Sequence, residues 1–222
     1  MQFDLTRCPD CHGRLESKDD QELVCERCGE LYPVVDGVPK LVGARSVINE
    51  SEMATQDYVT DFYENVRYKL PWARAYHEHT LQQMIALAPL NGTVLDNGCG
   101  NGVFLERLSR EGSPRARLVG TDISMGMLGH AQRRLADCSG EIDLVQADAC
   151  RLPFADDSFD VVFARGLLHH LPDPHAGAKE MARVLRPGGV ALVLDPNRTF
   201  ISELPRRLAR KTSHFDEDHK NF

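Results

Sequence analysis

Residues 93–102 read Thr93-Val94-Leu95-Asp96-Asn97-Gly98-Cys99-Gly100-Asn101-Gly102: an apolar run that ends on a carboxylate and turns into three glycines at alternate positions. Glycines at that spacing let the backbone turn sharply and approach a ligand closely. The apolar pattern resuming at Val103 predicts a helix, whose first N–H groups have no partner within the helix and face the same place. Many nucleotide-binding proteins carry a glycine loop, so the form of this one matters. The dinucleotide fingerprint is Gly-x-Gly-x-x-Gly, whereas this loop is acid-x-Gly-x-Gly-x-Gly. A carboxylate just before the loop repels a pyrophosphate and suits an ammonium group.

Downstream of this stretch, short apolar runs alternate with helical patterns, which predicts a parallel sheet covered on both faces. The expected strands are Thr93–Asp96, Leu118–Asp122, Ile142–Ala147, Phe159–Ala164 and Val190–Asp195. Helices are expected near Val103–Gly112, Met125–Asp137 and His175–Leu185, with Ser124 as an N-cap and Arg186-Pro187-Gly188-Gly189 closing the last one. Right-handed crossovers place every strand's C-terminal end along one edge, where doubly wound folds bind ligands. Strand two ends in Asp122-Ile123-Ser124, and an Asp there can accept both hydroxyls of a ribose. Strand three ends in Ala147-Asp148-Ala149, which puts a third carboxylate beside the cleft, suited to an adenine amino group. Each Asp alone could be a cap or a solvated turn; all three converging on one edge reads as a site.

Upstream, Cys8-Pro-Asp-Cys11 and Cys25-Glu-Arg-Cys28 form two Cys-x-x-Cys knuckles. Two facing knuckles complete the tetrahedral sulfur set that zinc prefers. A closed four-thiolate site leaves no position for water, so the expected metal is structural Zn2+. His12 adjoins a knuckle but is surplus to that set. Between the knuckles lie Gly13, Leu15 and Glu22-Leu23-Val24, enough for a hairpin but not for a core, so the module should depend on its metal. Cys99, Cys138 and Cys150 fall outside the pattern.

Gly43 to Glu52 reads as a connection, followed by an amphipathic stretch from Met53 to about Val66 and a helix opened by Pro71 that runs through Ala88. The expected organisation is thus a ribbon over 1–42, a linker and helical lid over 43–92, and a ligand-binding α/β domain over 93–222.

The chain has 222 residues, 42% of them hydrophobic and 27% charged, as in an ordinary globular protein with room for one α/β domain and a small module. No stretch approaches the ~18 apolar residues of a membrane helix. MQFDLTRCPD has neither the basic start nor the apolar run of a secretory signal, so the expectation is a cytoplasmic protein with no membrane partner. The net charge of −7 argues against a partner held mainly by its phosphates. The ribbon is itself acidic, with six Lys and Arg against nine Asp and Glu through Arg45. A basic cluster, Arg198, Arg206, Arg207, Arg210 and Lys211, reads as a solvated helix face.

Two resemblances follow from these residues. Cys8 through Pro39, including Pro33-Val34-Val35-Asp36-Gly37, resembles the zinc-ribbon subunit that activates several tRNA, rRNA and release-factor methyltransferases, and the zinc-binding head of bacterial rRNA guanine-N1 methyltransferases. Residues from about 90 to 196 resemble the class I methyltransferases that use S-adenosylmethionine. The match rests on the glycine loop, Leu152-Pro153-Phe154, Ser158-Phe159-Asp160-Val161-Val162, Leu168-His169-His170-Leu171 and Arg183-Val184-Leu185-Arg186-Pro187-Gly188-Gly189. The resemblance implies a Rossmann-like, doubly wound, mostly parallel sheet, with S-adenosylhomocysteine as product. It implies that Asp96, Asn97, Gly98 and Gly100 hold the methionine part, Asp122 the ribose, and Asp148 and Ala149 the adenine, with Ile123 packed on the ring. Arg165 ends the fourth strand where the family often has a small or polar residue, so it is expected near the methionine moiety or an anionic acceptor. Tyr63 or Trp72, from the lid, would face the methyl group.

Methyl transfer from a sulfonium is an in-line displacement in which the protein mainly orients the acceptor. His169 and His170 lie just past strand four and are the candidate bases, although no triad-like partner is visible in the sequence, which favours a structural role. The resemblance implies a helix and a strand pair past strand five, so the expectation is a C-terminally short domain that leaves the fifth strand as an apolar edge: a piece of a longer protein, a naturally shortened variant, or a homo-oligomer whose second copy covers that edge. The acceptor is expected to be a small molecule, with rRNA as the alternative. A catalytically inactive cofactor-binding scaffold whose ribbon docks a partner is a third reading, and an NAD-linked oxidoreductase is disfavoured by the loop.

Overall fold

The computed structural model describes residues 3–44, 46, 71–111 and 116–195. Four short strands open the chain: β1 (Leu15–Ser17), β2 (Glu22–Cys25), β3 (Leu31–Val35) and β4 (Val38–Leu41). Helix α1 (Pro71–Ala86) precedes the alternating series of β5 (Thr93–Asn97), α2 (Val103–Glu111), β6 (Arg117–Asp122), α3 (Met125–Leu135), β7 (Glu141–Ala147), β8 (Phe159–Arg165), α4 (Pro174–Val184) and β9 (Leu185–Leu194). The strands form one sheet in the order β1-β2-β3-β4-β7-β6-β5-β8-β9. From β4 across to β9 every pairing is parallel. The order β7-β6-β5-β8-β9 is doubly wound, and the chain reverses direction across the sheet between β5 and β8.

Successive residues of each central strand face opposite sides of the sheet, because side chains alternate along a strand. Val94, Leu118, Leu144, Val161 and Phe163 pack with Leu81 and Met84 of α1, Phe104, Leu105 and Leu108 of α2, and Leu128 and Ala131 of α3. Their neighbours Leu95, Val119, Val145, Val162 and Ala164 pack with Met181 and Val184 of α4. The same second cluster takes in Cys8, Leu15, Leu23, Cys25, Tyr32 and Leu41. The ribbon, expected to lack a core, shares the core of the larger domain.

The join between them is a strand pairing. Lys40 and Leu41 of β4 pair in parallel with Gln146 and Ala147 of β7. Around it, the Arg7 N–H donates to the Pro153 carbonyl at 2.8 Å, the Ala155 N–H to the Leu5 carbonyl at 3.0 Å, and Gln132 to the Asp36 carbonyl at 2.6 Å. Arg117 donates to Asp4 at 2.8 Å and to Asp143 at 2.9 Å, tying the N-terminal segment to β6 and β7.

Helix ends follow local chemistry. Ser124 caps α3 by accepting the Met127 N–H at 3.1 Å. Asp173 caps α4, with Pro174 in its first turn, so that helix begins one residue earlier than expected. Arg186-Pro187-Gly188-Gly189 lies inside β9 rather than in a separate closing turn: Leu185 is already extended and pairs with Phe159, and Arg186 is held there by Asp160 at 2.7 Å. Among the described residues β9 ends the sheet order, with Val193 on it 48% exposed.

Candidate functional site

The C-terminal ends of β5, β6 and β8 carry Asp96, Asp122 and Arg165, and Asp148 and Asp195 follow one residue past β7 and β9. Asp96 is the most buried of these, 1% exposed, and its Oδ2 has no hydrogen-bond partner among the described residues. Burial raises its pKa to about 7, an effect that the nearby Arg165 guanidinium partly offsets and the Asp122 charge increases. A buried carboxylate oxygen without a donor is costly, and an incoming ammonium would satisfy it.

The glycine loop is pinned from below. The N–H groups of Gly98 and Cys99 both donate to the Thr121 carbonyl at 2.8 Å, and Gly100 N–H donates to Asp122 Oδ2 at 2.9 Å. Gly98 has a φ of 76°, and a Cβ there would sit 2.9 Å from Leu167 Cδ1, so the loop packs directly on the turn that follows β8. A Cβ at Gly100 (φ 54°) would meet nothing within 4 Å among the described residues. The other oxygen of Asp122 accepts the Ser124 N–H at 2.9 Å, so backbone donors of the loop and of the turn after β6 both hold this carboxylate.

Asp148 likewise turns its own loop, accepting the Cys150 N–H at 2.8 Å, with Ala149 buried beside it and Ile123 half-buried. Gln146 donates to the Ile123 carbonyl at 2.8 Å and sets the spacing of the β6 and β7 ends. Asn97 departs from this convergence. Its side-chain oxygen accepts the Thr121 hydroxyl at 3.0 Å within the sheet, and the residue is 1% exposed.

At the end of β8, Arg165 lies 3.3 Å from His77 of α1, and its guanidinium stands 5.7 Å from the centre of the Phe104 ring. The following turn, Leu168–His170, brings the two histidine rings to 4.0 Å. His169 Nδ1 is 2.7 Å from Asp195 Oδ1. The partner that the sequence did not reveal is therefore present, 26 residues away in the chain. Of the lid aromatics, Tyr63 and the Trp72 side chain lie outside the described residues, as do the basic residues from Arg198 to Lys211.

The four knuckle cysteines converge. Their sulfurs all lie within 4.8 Å of one another, with Cys8–Cys28 at 3.7 Å and Cys11–Cys25 at 3.5 Å. Tetrahedral zinc with bonds of about 2.3 Å needs sulfurs about 3.8 Å apart, so the set fits that ion. Burial opposes ionisation of Cys25, but the backbone N–H groups of Cys28 and Arg27 bring its pKa down to about 7. Tyr32 stands 3.1 Å from Cys8 and donates to Asp10 at 3.3 Å, an outer layer that fixes the first knuckle. His12 is outside the cluster.

A doubly wound sheet with this loop and these strand-end carboxylates is the class I fold of the S-adenosylmethionine-dependent methyltransferases. Residues 95–193 match the family described as "Methyltransferase domain", and residues 4–37 match "Trm112p-like protein". The two matched regions thus resemble, in chain order, a Trm112p-like protein and a methyltransferase domain. The demethylmenaquinone methyltransferase of Clavibacter sepedonicus is 40% identical over 111 residues, which are 50% of this chain and 44% of that protein. The chain spans between about a third and about half of the length of the curated relatives it matches. A chain from the complex between the Haloferax volcanii Trm112 methyltransferase activator and the putative methyltransferase is 28% identical, with a TM-score of 0.51 over 67% of this chain and 61% of that one. A putative S-adenosylmethionine-dependent methyltransferase from Methanococcus maripaludis shares the fold, with a TM-score of 0.57 over 79% of each chain and 18% identity. No helix among the described residues is long and apolar enough to cross a membrane.

Proposed function

We propose that this chain transfers a methyl group from S-adenosylmethionine to a small-molecule acceptor, releasing S-adenosylhomocysteine, and that its four cysteines hold a structural Zn2+. The observation that carries the reading is the buried oxygen of Asp96, without a partner among the described residues, just before a glycine loop. Asp96 binds the ammonium of the methionine part, with Gly98 and Gly100 giving it room. Asp122 takes the ribose hydroxyls, Asp148 and Ala149 the adenine, and Ile123 the face of the ring. Arg165 offers its charge to a carboxylate of the methionine part or of the acceptor. When bound, the cofactor supplies an electrophilic methyl carbon; the residues of the chain bind, orient and exclude water around it.

Relatives named demethylmenaquinone methyltransferase and the acidic net charge of −7 favour a small molecule over a polyanion. The Trm112p-like head favours a second reading, an rRNA acceptor. Retention on an RNA column separates the two: an rRNA enzyme is eluted by salt along a steep gradient, whereas a small-molecule enzyme passes through at low salt. The primary test is calorimetric titration of the zinc-loaded chain with S-adenosylmethionine, repeated with Asp122→Ala.

A further inference from the structure

Asp96 and Arg165 lie on the same face of the sheet. Val94, Val161 and Phe163 all pack toward α1 and α2, and side chains alternate along a strand, so Asp96 follows Val94 onto that face and Arg165 follows Phe163. Their strands are neighbours: Asp96 pairs with Phe163, two residues before Arg165. The Arg165 guanidinium is steadied from two sides, by the Phe104 ring 5.7 Å away and by His77 of α1 at 3.3 Å. Phe104 lies in the first turn of α2, directly after the glycine loop, so these contacts fix the cation beside the loop. Burial raises the Asp96 pKa, and the Arg165 charge acts against that rise. Opposite charges so placed ordinarily pair. Here each keeps a buried atom without a hydrogen-bond partner among the described residues, Oδ2 of Asp96 and Nε of Arg165. Leaving both unmet is costly, and a ligand that carries one charge of each sign meets both. Among the described residues at the strand ends of this edge, Asp96, Asp122, Asp148 and Asp195 are acids and Arg165 is the one cation. An entering carboxylate is repelled by the acids, so its place is beside Arg165.

We propose that Arg165 is a specificity-determining residue of the cofactor site: it binds the carboxylate of an α-amino-acid end whose ammonium Asp96 binds, so that the chain reads the methionine part of its cofactor as a zwitterion. This rests on the methyltransferase reading above, and it assigns Arg165 to the cofactor and not to the acceptor. The planar fork of a guanidinium suits a carboxylate, which it can meet with two parallel N–H bonds. The pair is a binding device that selects adenosyl compounds with an intact amino-acid end over those that have lost the carboxylate.

The test compares two thioethers by calorimetry on the zinc-loaded full chain: S-adenosylhomocysteine, and S-adenosyl-3-thiopropylamine, which keeps the ammonium and lacks only the carboxylate. The wild type should bind the first about ten- to a hundredfold more tightly, the difference expected of a charge-assisted pair. Arg165→Gln should remove that preference by weakening S-adenosylhomocysteine, with the affinity for the amine not reduced. Arg165→Lys, which keeps the charge but not the fork, should keep part of the preference. Asp96→Asn should weaken both ligands, since both carry the ammonium. The amine also checks folding, because a variant that binds it as the wild type does has an intact cleft. A wild type that binds the two thioethers equally would overturn the proposal, whatever the variants do. So would an Arg165→Gln chain that keeps the full preference, the result expected if Arg165 serves the acceptor, or one that loses both ligands alike. Failure of the wild type to bind S-adenosylhomocysteine at all would instead overturn the methyltransferase reading, so the two failures are distinguishable.

Discussion

Leu41, at the end of the ribbon, pairs in parallel with Ala147, and the residue that follows Ala147 is the cleft carboxylate Asp148. The head that carries the four cysteines thus forms part of the sheet edge from which one wall of the candidate cleft is built. The two regions share a single buried core through Tyr32, Leu23 and Leu41.

Metal removal should therefore be felt in the cleft. Chelation, or Cys11→Ser, is expected to cost roughly 3–5 kcal/mol and to lower Tm by roughly 10 °C. S-adenosylmethionine affinity should fall together with the zinc content. Differential scanning fluorimetry and calorimetry on chelated and reloaded protein check this. An unchanged cofactor affinity in the metal-free chain would show that the β4–β7 pairing does not depend on the ion.

Asp96 gives a prediction with a definite sign. Its carboxyl titrates at about 7 in the folded chain, above its ordinary 3.8. A raised carboxyl pKa means that the folded state holds its proton more tightly than the unfolded state. This group therefore subtracts stability as pH rises from about 4 to about 7, and the full cost persists above that range. Asp96→Asn removes the cost and should stabilise the free chain at pH 8 by roughly 2–4 kcal/mol. The same variant should lose about a hundredfold or more in S-adenosylmethionine affinity, because the ammonium loses its counter-charge. In the wild type, affinity should decline about tenfold per pH unit below about pH 7. Urea melts at pH 5 and pH 8, with matching titrations, measure both effects.

The carboxylate of Asp122 serves the loop before it serves a ligand, through its bonds to the N–H groups of Gly100 and Ser124. Asp122→Ala should cost about 1–3 kcal/mol of stability by leaving those donors unpaired, in addition to abolishing measurable cofactor binding. Stability retained with binding lost would mean that water replaces the carboxylate beneath the loop.

Gly120 sits in the middle of β6 where a Cβ would lie 2.5 Å from Leu105 Cδ1 and 2.9 Å from both Cys99 Sγ and Leu144 Cδ2. Gly120→Ala should destabilise by about 1–3 kcal/mol through overpacking between α2 and the sheet. Thermal melts with unchanged zinc content would confirm that the effect is confined to that face.

The repeated pattern of apolar run, terminal acid and helix made the five parallel strands and three of the cleft carboxylates legible, because a strand's side-chain alternation and the crossover rule act locally. The four cysteines were legible for a similar reason, since their spacing alone brings the sulfurs together. What the sequence concealed depends on pairings between distant segments. Nothing in Val38–Leu41 announces that it will extend a sheet more than a hundred residues downstream. Asp195 stands at the end of an apolar run just as Asp96 and Asp122 do, so the strand-end rule could have found it. It was missed because its partner, His169, lies on a different element and the 2.7 Å contact exists only once β8 and β9 pair. The Asn97 side-chain oxygen shows the same dependence on distant pairing, since its bond to the Thr121 hydroxyl forms only once β5 and β6 lie side by side.

The most direct test of the central claim is calorimetric titration of the zinc-loaded chain with S-adenosylmethionine, with NAD as the control. A methyltransferase should bind S-adenosylmethionine with a dissociation constant of about micromolar order, give no heat with NAD, and lose binding in Asp122→Ala. A folded, metal-loaded chain that binds NAD, or that binds neither compound, would contradict it.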